Sequence, residues 1–309
     1  MILPNSYCIM IRFSLNGLRG NISKLLITTR PWSFLMTIVS VSVGTVLAYK
    51  QGVFDIITYL LTLLGCIFAH ASANVLNDYF DTLYGIDNPD SPTAKYRPHP
   101  IFSKFLTLNT LLIYAIILIV PAIIIGLYLT LIKGLLVLYL AVLGLILGIS
   151  YSGIYKLKHY GLGEITVFII WGPLMVLGAY YTQLQQVAIG PLLVSIPIGL
   201  LVSSVLLANN IRDIEFDKKS GIITVATILG RNRSINLLAI MLLTSYLIII
   251  ILCIIHLLDA YSLVILIALP YALKLISIFK RSVPEDADPK IANHVLLFGI
   301  ILIFSLIIT

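Results

Sequence analysis

Charge is what this chain lacks most. Asp, Glu, Lys and Arg make up 11% of its 309 residues, against 60% hydrophobic, and the mean hydropathy is +1.06. Soluble domains carry about 25% charged residues, so a soluble globular protein of this length is excluded. The class is an all-α polytopic membrane protein, here a single transmembrane domain over residues 1–309. Cysteine is also scarce. Cys8, Cys66 and Cys253 have no metal-type spacing, and an odd count without a pairing pattern indicates neither a disulfide framework nor a zinc site. They read as small buried hydrophobes. A cleaved signal peptide needs one clean apolar core and a small-residue cleavage site, and residues 1–30 offer neither. That stretch carries Arg12, Arg19, Lys24 and Arg30 with no acid, which predicts an interfacial segment on the cytoplasmic face. No nucleic-acid-binding module is present. The net charge of +7 therefore reflects topology, because Lys and Arg mark the cytoplasmic side of a membrane protein.

What the chain does have is long apolar runs. Nine spans are predicted at roughly 32–50, 57–82, 105–129, 132–151, 162–184, 189–210, 234–256, 260–280 and 291–309, each long enough to cross ~30 Å of hydrocarbon. Pro121, Pro173, Pro197 and Pro270 fall inside them and predict kinks or local breaks. With the N-terminus inside, every Lys and Arg except Lys50 and Lys133 falls on the cytoplasmic side. The acids sort the same way, with only Asp55 and Asp259 outside. Topology rules make no such demand on acids, so function is expected at the cytoplasmic mouth. The chain is thus expected in the cell membrane, with active-site loops at 83–104 and 211–233 on its cytoplasmic side. The long loop 83–104, rich in Pro and Asp, reads either as a lid or as a solvated connector.

At the end of span 2 lies Asn74-Val-Leu-Asn-Asp-Tyr-Phe-Asp-Thr-Leu-Tyr-Gly-Ile-Asp87. On a helix Asn74 and Asp78, and Asn77 and Asp81, are i,i+4 pairs, and Asp78 and Asp81 are i,i+3. These polar groups therefore share adjacent strips of one face. Gly85 offers a helix stop, after which Asp87 can fold back. Like charges this close repel, so a cation belongs between them, and hard oxygen ligands suit Mg2+. The end of span 6 reads Asn209-Asn-Ile-Arg-Asp-Ile-Glu-Phe-Asp-Lys-Lys-Ser-Gly221, with Asn209, Asp213 and Asp217 on one face. Each cluster ends an inward-running helix, and the two lie four spans apart, which suggests two similar halves. Candidate metal ligands are therefore Asn74, Asn77, Asp78, Asp81, Asp87, Asn209, Asn210, Asp213 and Asp217. Of these, Asp78, Asp81, Asp213 and Asp217 are the candidate catalytic acids. Two facing carboxylate clusters suit a metal-bound diphosphate. The alternative is that the acids are solvated helix ends. Lys95, Arg97, Lys156 and Arg212 are candidate diphosphate partners, Lys156 and Arg212 foremost, although topology alone also explains each base. His70, one turn before Asn74, either lines the cavity or bonds within the bundle. Glu164 needs a partner, such as a nearby Lys, or has a catalytic role.

These residues resemble the UbiA superfamily of intramembrane aromatic prenyltransferases. The resemblance rests on Asn77-Asp-Tyr-Phe-Asp81 with Gly85-Ile-Asp87, on Asn209-Asn-Ile-Arg-Asp213 with Asp217, and on Gly221-Ile-Ile-Thr-Val-Ala-Thr-Ile-Leu-Gly230. Arg30-Pro-Trp32 and Tyr151-Ser…Lys156…Gly163-Glu164 are similar too. The displaced last acid, Asp87, and the Asn-Asn-x-Arg-Asp form resemble the menaquinone and vitamin-K branch more than the 4-hydroxybenzoate branch. The loop wording of the digeranylgeranylglyceryl phosphate synthase branch is absent. The resemblance implies nine spans and Mg2+-dependent transfer from a polyprenyl diphosphate, such as geranylgeranyl diphosphate. The implied acceptor is an aromatic quinone precursor resembling 1,4-dihydroxy-2-naphthoate or 4-hydroxybenzoate. Trp32, Tyr79, Tyr151 and Trp171 are aromatic faces suited to an allylic cation or to ordinary packing. Trp32, Tyr151 and His70 are the candidate substrate-pocket residues. Two other readings compete: prenyl transfer to a glycerol-phosphate ether lipid, and cation transport. The latter usually places its acids at the midplane.

Overall fold

In hydrocarbon a chain must satisfy its own backbone groups, so each long apolar run becomes a helix. The computed structural model describes residues 18–308. Cys8 and Arg12, with the rest of residues 1–17, lie outside the described residues. Among the described residues nine helices are long and apolar enough to cross a membrane. Spans 1–9 are Pro31–Tyr49, Ile56–Leu83, Leu108–Lys133, Leu135–Ser152, Gly163–Leu184, Ile189–Lys219, Arg231–Ile254, Ala260–Arg281 and Ala287–Ile308. Most ends agree with the sequence reading to within a few residues. The large difference is span 6, whose helix continues to Lys219. Residues 211–219, expected in a loop, are therefore helical, and the second acidic cluster rides on a rigid element.

The prolines act unequally. Pro173 sits in a π-helical turn, Ile170–Leu174, that interrupts span 5. Pro270 begins the α-helical part of span 8, Leu269–Arg281, after a 3-10 segment, Ala260–Ala268. Pro121 and Pro197 lie within unbroken helices. At the end opposite the motifs, Asp55 caps span 2 by accepting from Ile57 N (3.0 Å) and the Thr58 hydroxyl (2.5 Å). The Thr58 bond, foremost, holds its carboxyl below the usual carboxylate range. Lys50 and Asp259 pair at the same end.

Two cores form. The larger gathers residues of spans 1 and 5–9 around span 6, with Ile198, Leu201, Leu207 and Ile211 fully buried. The smaller joins Val75 of span 2 to Leu111 and Ala115 of span 3. Spans 3 and 4 bury little of their surface, so they form an outer wall beside span 2. Small residues allow the tight crossings expected where lipid supplies no hydrophobic drive. A Cβ on Gly44 would meet the Val176 carbonyl oxygen at 2.2 Å, and one on Gly299 would meet Val39 Cγ1 at 2.4 Å. Spans 1 and 5 thus touch through backbone. Gly44→Ala is expected to destabilise the bundle by about 1–3 kcal/mol, seen as a lower thermal midpoint in detergent. Leu131→Ala, at an 85% exposed position, is expected to stay within about 0.5 kcal/mol.

Candidate active site

Span 2 delivers its acids to two different places. Asp81 faces a large cavity and Asp78 does not. Asp78 is fully buried. Its Oδ1 accepts from Arg30 Nη2 and from Arg97 Nη2, both at 2.5 Å. Arg30 precedes span 1 and takes a left-handed backbone (φ 55°). Arg97 follows the short helix Pro92–Tyr96 in the loop after span 2. Asp78 therefore joins three segments, and its charge is already matched by two guanidinium groups. Asp78, Asp87 and His99 bring ligand atoms within 4.8 Å of one another. Those two guanidinium groups oppose a further cation there. Two of the candidate residues thus lie apart from the cavity. Asp78 is an ion-pair hub, and Arg97 bonds to it instead of lining the cavity.

Asp81 is only 6% exposed. Its Oδ2 accepts from Lys158 Nζ (2.5 Å) and Asn77 Nδ2 (3.2 Å), and its Oδ1 has no hydrogen-bond partner. Asn77 Oδ1 accepts from Lys158 Nζ and the Ser152 hydroxyl, each at 2.6 Å. His159 Nε2, also unpartnered, lies 3.6 Å from Asp81 Oδ1. Gly85 (φ 71°) makes the expected turn. The amides of Ile86 and Asp87 then donate to the Asp81 carbonyl at 2.8 and 3.1 Å. Asp87 returns to the cavity with its Oδ2 3.2 Å from His99 Nε2. Asn74 also lines the cavity, with its amide donating to the Thr29 carbonyl and the Ser33 hydroxyl.

On span 6, Asn209, Asn210, Asp213 and Asp217 line the same cavity. Arg212 donates twice to Asp213 (2.7 and 2.8 Å), once to Asn209 Oδ1 (2.7 Å) and once to Asp288 Oδ1 (2.5 Å). It holds the acidic helix end to the start of span 9. Asn210 Nδ2 donates to Glu164 Oε1 at 3.0 Å, so the partner of Glu164 is an amide and not a lysine. Of the remaining expectations, Trp32, Tyr151 and His70 line the cavity. Both His70 ring nitrogens are engaged, by Thr37 and Ser33. Lys95 is exposed and away from the cavity. Lys156 lies over the Tyr84 ring, 3.5 Å from its centroid.

Of the two lysines after span 4, Lys158 and not Lys156 lines the cavity. Lys156 adopts a left-handed backbone (φ 49°) and a 3-10 turn, Leu157–His159, follows. That turn sends Lys158 and His159 inward, and no periodicity outside a regular helix announces it. Asp288, in the first turn of span 9, also lines the cavity; its place at the acid-rich end was a usable signal in the sequence.

The cavity has a volume of about 830 Å3 and runs from these acids to Thr62, Leu129, Val137 and Thr182 near the opposite end. Its mouth is acidic. Asp81, Asp87, Asp213, Asp217 and Asp288 line it, against the cations Arg30 and Lys158. The rest of the wall is mainly aliphatic. Such a chamber can hold a charged head at one end and an apolar chain along its length. Residues 37–301 match the UbiA prenyltransferase family. The chain belongs to that family. It is accordingly an intramembrane prenyltransferase. It is similar to UbiA prenyltransferase domain-containing protein 1 of Rattus norvegicus, with 30% identity covering 94% of this chain and 85% of that protein. The Dictyostelium discoideum protein of the same name is 32% identical, covering 90% and 86%. Among solved structures, a UbiA homolog from Aeropyrum pernix K1 aligns with a TM-score of 0.68 at 18% identity, covering 88% of this chain and 97% of that one. A UbiA homolog from Archaeoglobus fulgidus bound to GPP and Mg2+ aligns at 0.64, with 18% identity and coverage of 93% and 100%. A structure of digeranylgeranylglyceryl phosphate synthase aligns at 0.62, with 16% identity and coverage of 93% and 98%.

Lys158→Met is expected to lower prenyl transfer about ten- to a hundredfold, because it removes charge-assisted bonds worth ~1.5–3 kcal/mol each from Asp81 and Asn77. Lys156→Met is expected to stay within about threefold, since a partly exposed cation–π contact is worth ~0.5–1 kcal/mol. Initial rates in proteoliposomes compare the two.

Proposed function

We propose that this prenyltransferase moves a polyprenyl group from a polyprenyl diphosphate to an aromatic quinone precursor resembling 1,4-dihydroxy-2-naphthoate or 4-hydroxybenzoate. The reading places the acidic mouth on the cytoplasmic side of the cell membrane, in keeping with the distribution of Lys and Arg. One observation carries it: the acid-bearing ends of spans 2 and 6 line one cavity that continues into an apolar chamber.

The mouth fits Mg2+. Five carboxylates line it with Arg30 and Lys158, Arg212 bonds to two of the five, Asp213 and Asp288, and Asp81 keeps a buried oxygen without a hydrogen bond. A buried polar atom without a hydrogen bond is costly, and the acids at the mouth outnumber the bases, so the set suits a further cation. Asp81 and Asp87 from the first cluster, and Asp213 and Asp217 from the second, are the side chains assigned to hold it. Asn77 and Asn209 orient within the clusters. When bound, Mg2+ neutralises the diphosphate and stabilises it as a leaving group. Lys158, held between Asn77 and Asp81, supplies a mobile ammonium to a phosphate oxygen. Arg212 positions Asp213 and Asp288. The allylic C–O bond breaks with its electron pair leaving on the diphosphate. An electron-rich ring carbon of the acceptor then forms the new C–C bond, and the ring proton is lost. The aromatic faces of Tyr151 and Trp171, both lining the cavity, favour a nearby allylic cation by ~1–2 kcal/mol each when desolvated. The aliphatic wall keeps water from capturing it.

The charge balance also favours an aromatic acceptor over a glycerol-phosphate ether lipid. Arg30 and Lys158 already bond to Asp78 and Asp81, which leaves little positive charge for a second phosphate at the mouth. Cation transport is disfavoured because the lining acids all lie at one end.

Asp81→Ala and Asp213→Ala are each expected to lower transfer by at least about a hundredfold while leaving the bundle folded. The assay pairs geranylgeranyl diphosphate and Mg2+ with 1,4-dihydroxy-2-naphthoate, 4-hydroxybenzoate or geranylgeranylglyceryl phosphate. Wild-type rates in either variant would remove the metal assignment. Exclusive use of the glycerol-phosphate lipid would replace the aromatic acceptor.

A further inference from the structure

The depth of the cavity has a different origin from its acidic mouth. Along span 2 the lining extends from Asp81 to Thr62, about 28 Å of helix at ~1.5 Å per residue. A dry apolar cavity of about 150 Å3 holds one benzene, so about 830 Å3 is room for roughly five such volumes. Span 4 forms one wall, in which Leu138, Leu145 and Ile149 are interrupted by small residues. Ala141, Gly144 and Gly148 line the cavity, and a Cβ added at Gly144 or Gly148 would meet nothing within 4 Å. Gly44 and Gly299 differ, since a neighbour already occupies the place of their missing side chain. Glycine inside a helix is unfavourable relative to alanine, and at positions 144 and 148 no close helix crossing requires it. What it preserves there is open bore. A second observation points to a ligand in that bore: the buried, unpartnered Asp81 Oδ1 at the mouth of the same cavity. A head held by Asp81 sends its tail past Gly148 and then past Gly144.

We propose that Gly148 and Gly144 determine the tail length this enzyme accepts, in two steps. The inference rests on the prenyl-diphosphate reading above. The two glycines are one helical turn apart, about 6 Å along the axis, close to the reach of one extended isoprene unit. A side chain at position 148 narrows the bore just below Tyr151, near the head. A side chain at position 144 narrows it one turn deeper, where only longer tails pass.

The test uses the full-length protein in detergent with Mg2+. It measures stabilisation by dimethylallyl, geranyl, farnesyl and geranylgeranyl diphosphate, from which apparent affinities follow. The variants are Gly144→Leu, Gly148→Leu and, on the outer face of the same helix, Ile146→Phe (53% exposed and not lining the cavity). Gly144→Leu is expected to weaken geranylgeranyl diphosphate roughly tenfold or more relative to geranyl diphosphate. Gly148→Leu is expected to move the break to a shorter tail, and Ile146→Phe to leave the length profile unchanged. Gly144→Ala, which fills open space only, checks that substitution on this face preserves the fold. Equal loss at all tail lengths in both Leu variants, or a wild-type length profile in both, overturns the proposal. Wild-type protein stabilised by none of the four donors defeats the prenyl-diphosphate reading, and this inference falls with it.

Discussion

Five carboxylates crowd the mouth of an apolar chamber, and the rest of the arrangement follows from compensating them. Coulomb repulsion between close acids is severe at low dielectric. Each acidic helix end is therefore tied through cations to another segment. Lys158, from the turn after span 4, binds Asp81. Arg212 spans Asp213 and Asp288, joining spans 6 and 9. Arg30 and Arg97 converge on Asp78. These pairs do more than cancel charge, because each links elements distant in sequence. At Asp81 one buried oxygen is left without a hydrogen bond, with His159 Nε2 3.6 Å away. The residual negative field of the acids faces the place where a phosphate-bound cation belongs.

Asp78 shows how one acid can serve the site without entering it. Its two arginines come from the segment before span 1 and from the loop after span 2. That loop also contributes Ile86, Asp87 and Pro92 to the cavity wall, and His99 of the loop meets Asp87. The long connector is thus tied to span 2 through Arg97 and forms part of the cavity wall. Breaking a buried pair leaves its partner uncompensated, so this connector and the segment before span 1 share one anchor at Asp78.

Much of this was legible in the sequence. Hydropathy fixes the number of spans because hydrocarbon leaves the backbone few choices. Helical spacing correctly put Asp81 and Asp217 toward a shared space, and Gly85 correctly turned Asp87 back. Spacing could not separate Asp78 from Asp81. They are neighbours on one helix, and what distinguishes them is the pair of arginines from other segments. Nor could it choose between Lys156 and Lys158, because a left-handed residue followed by a 3-10 turn obeys no helical period. The end of span 6 was placed too early because its last turns are polar. Polarity marks where lipid stops, and the helix continues past that point to carry Asp213 and Asp217.

The two cores have unequal duties. The large one packs spans 1 and 5–9 around span 6, with backbone-close crossings such as Gly44 against Val176. It holds the second acidic cluster on a helix that has little room to shift. The smaller core fastens span 2 to span 3, and span 4 completes that side with a wall lacking side chains at Gly144 and Gly148. Rigid packing is therefore concentrated where charge must be positioned to fractions of an ångström. Loose packing falls where a flexible hydrocarbon chain needs only volume. Ionising an allylic diphosphate demands that division: a fixed field at the head, and a dry, accommodating space along the tail.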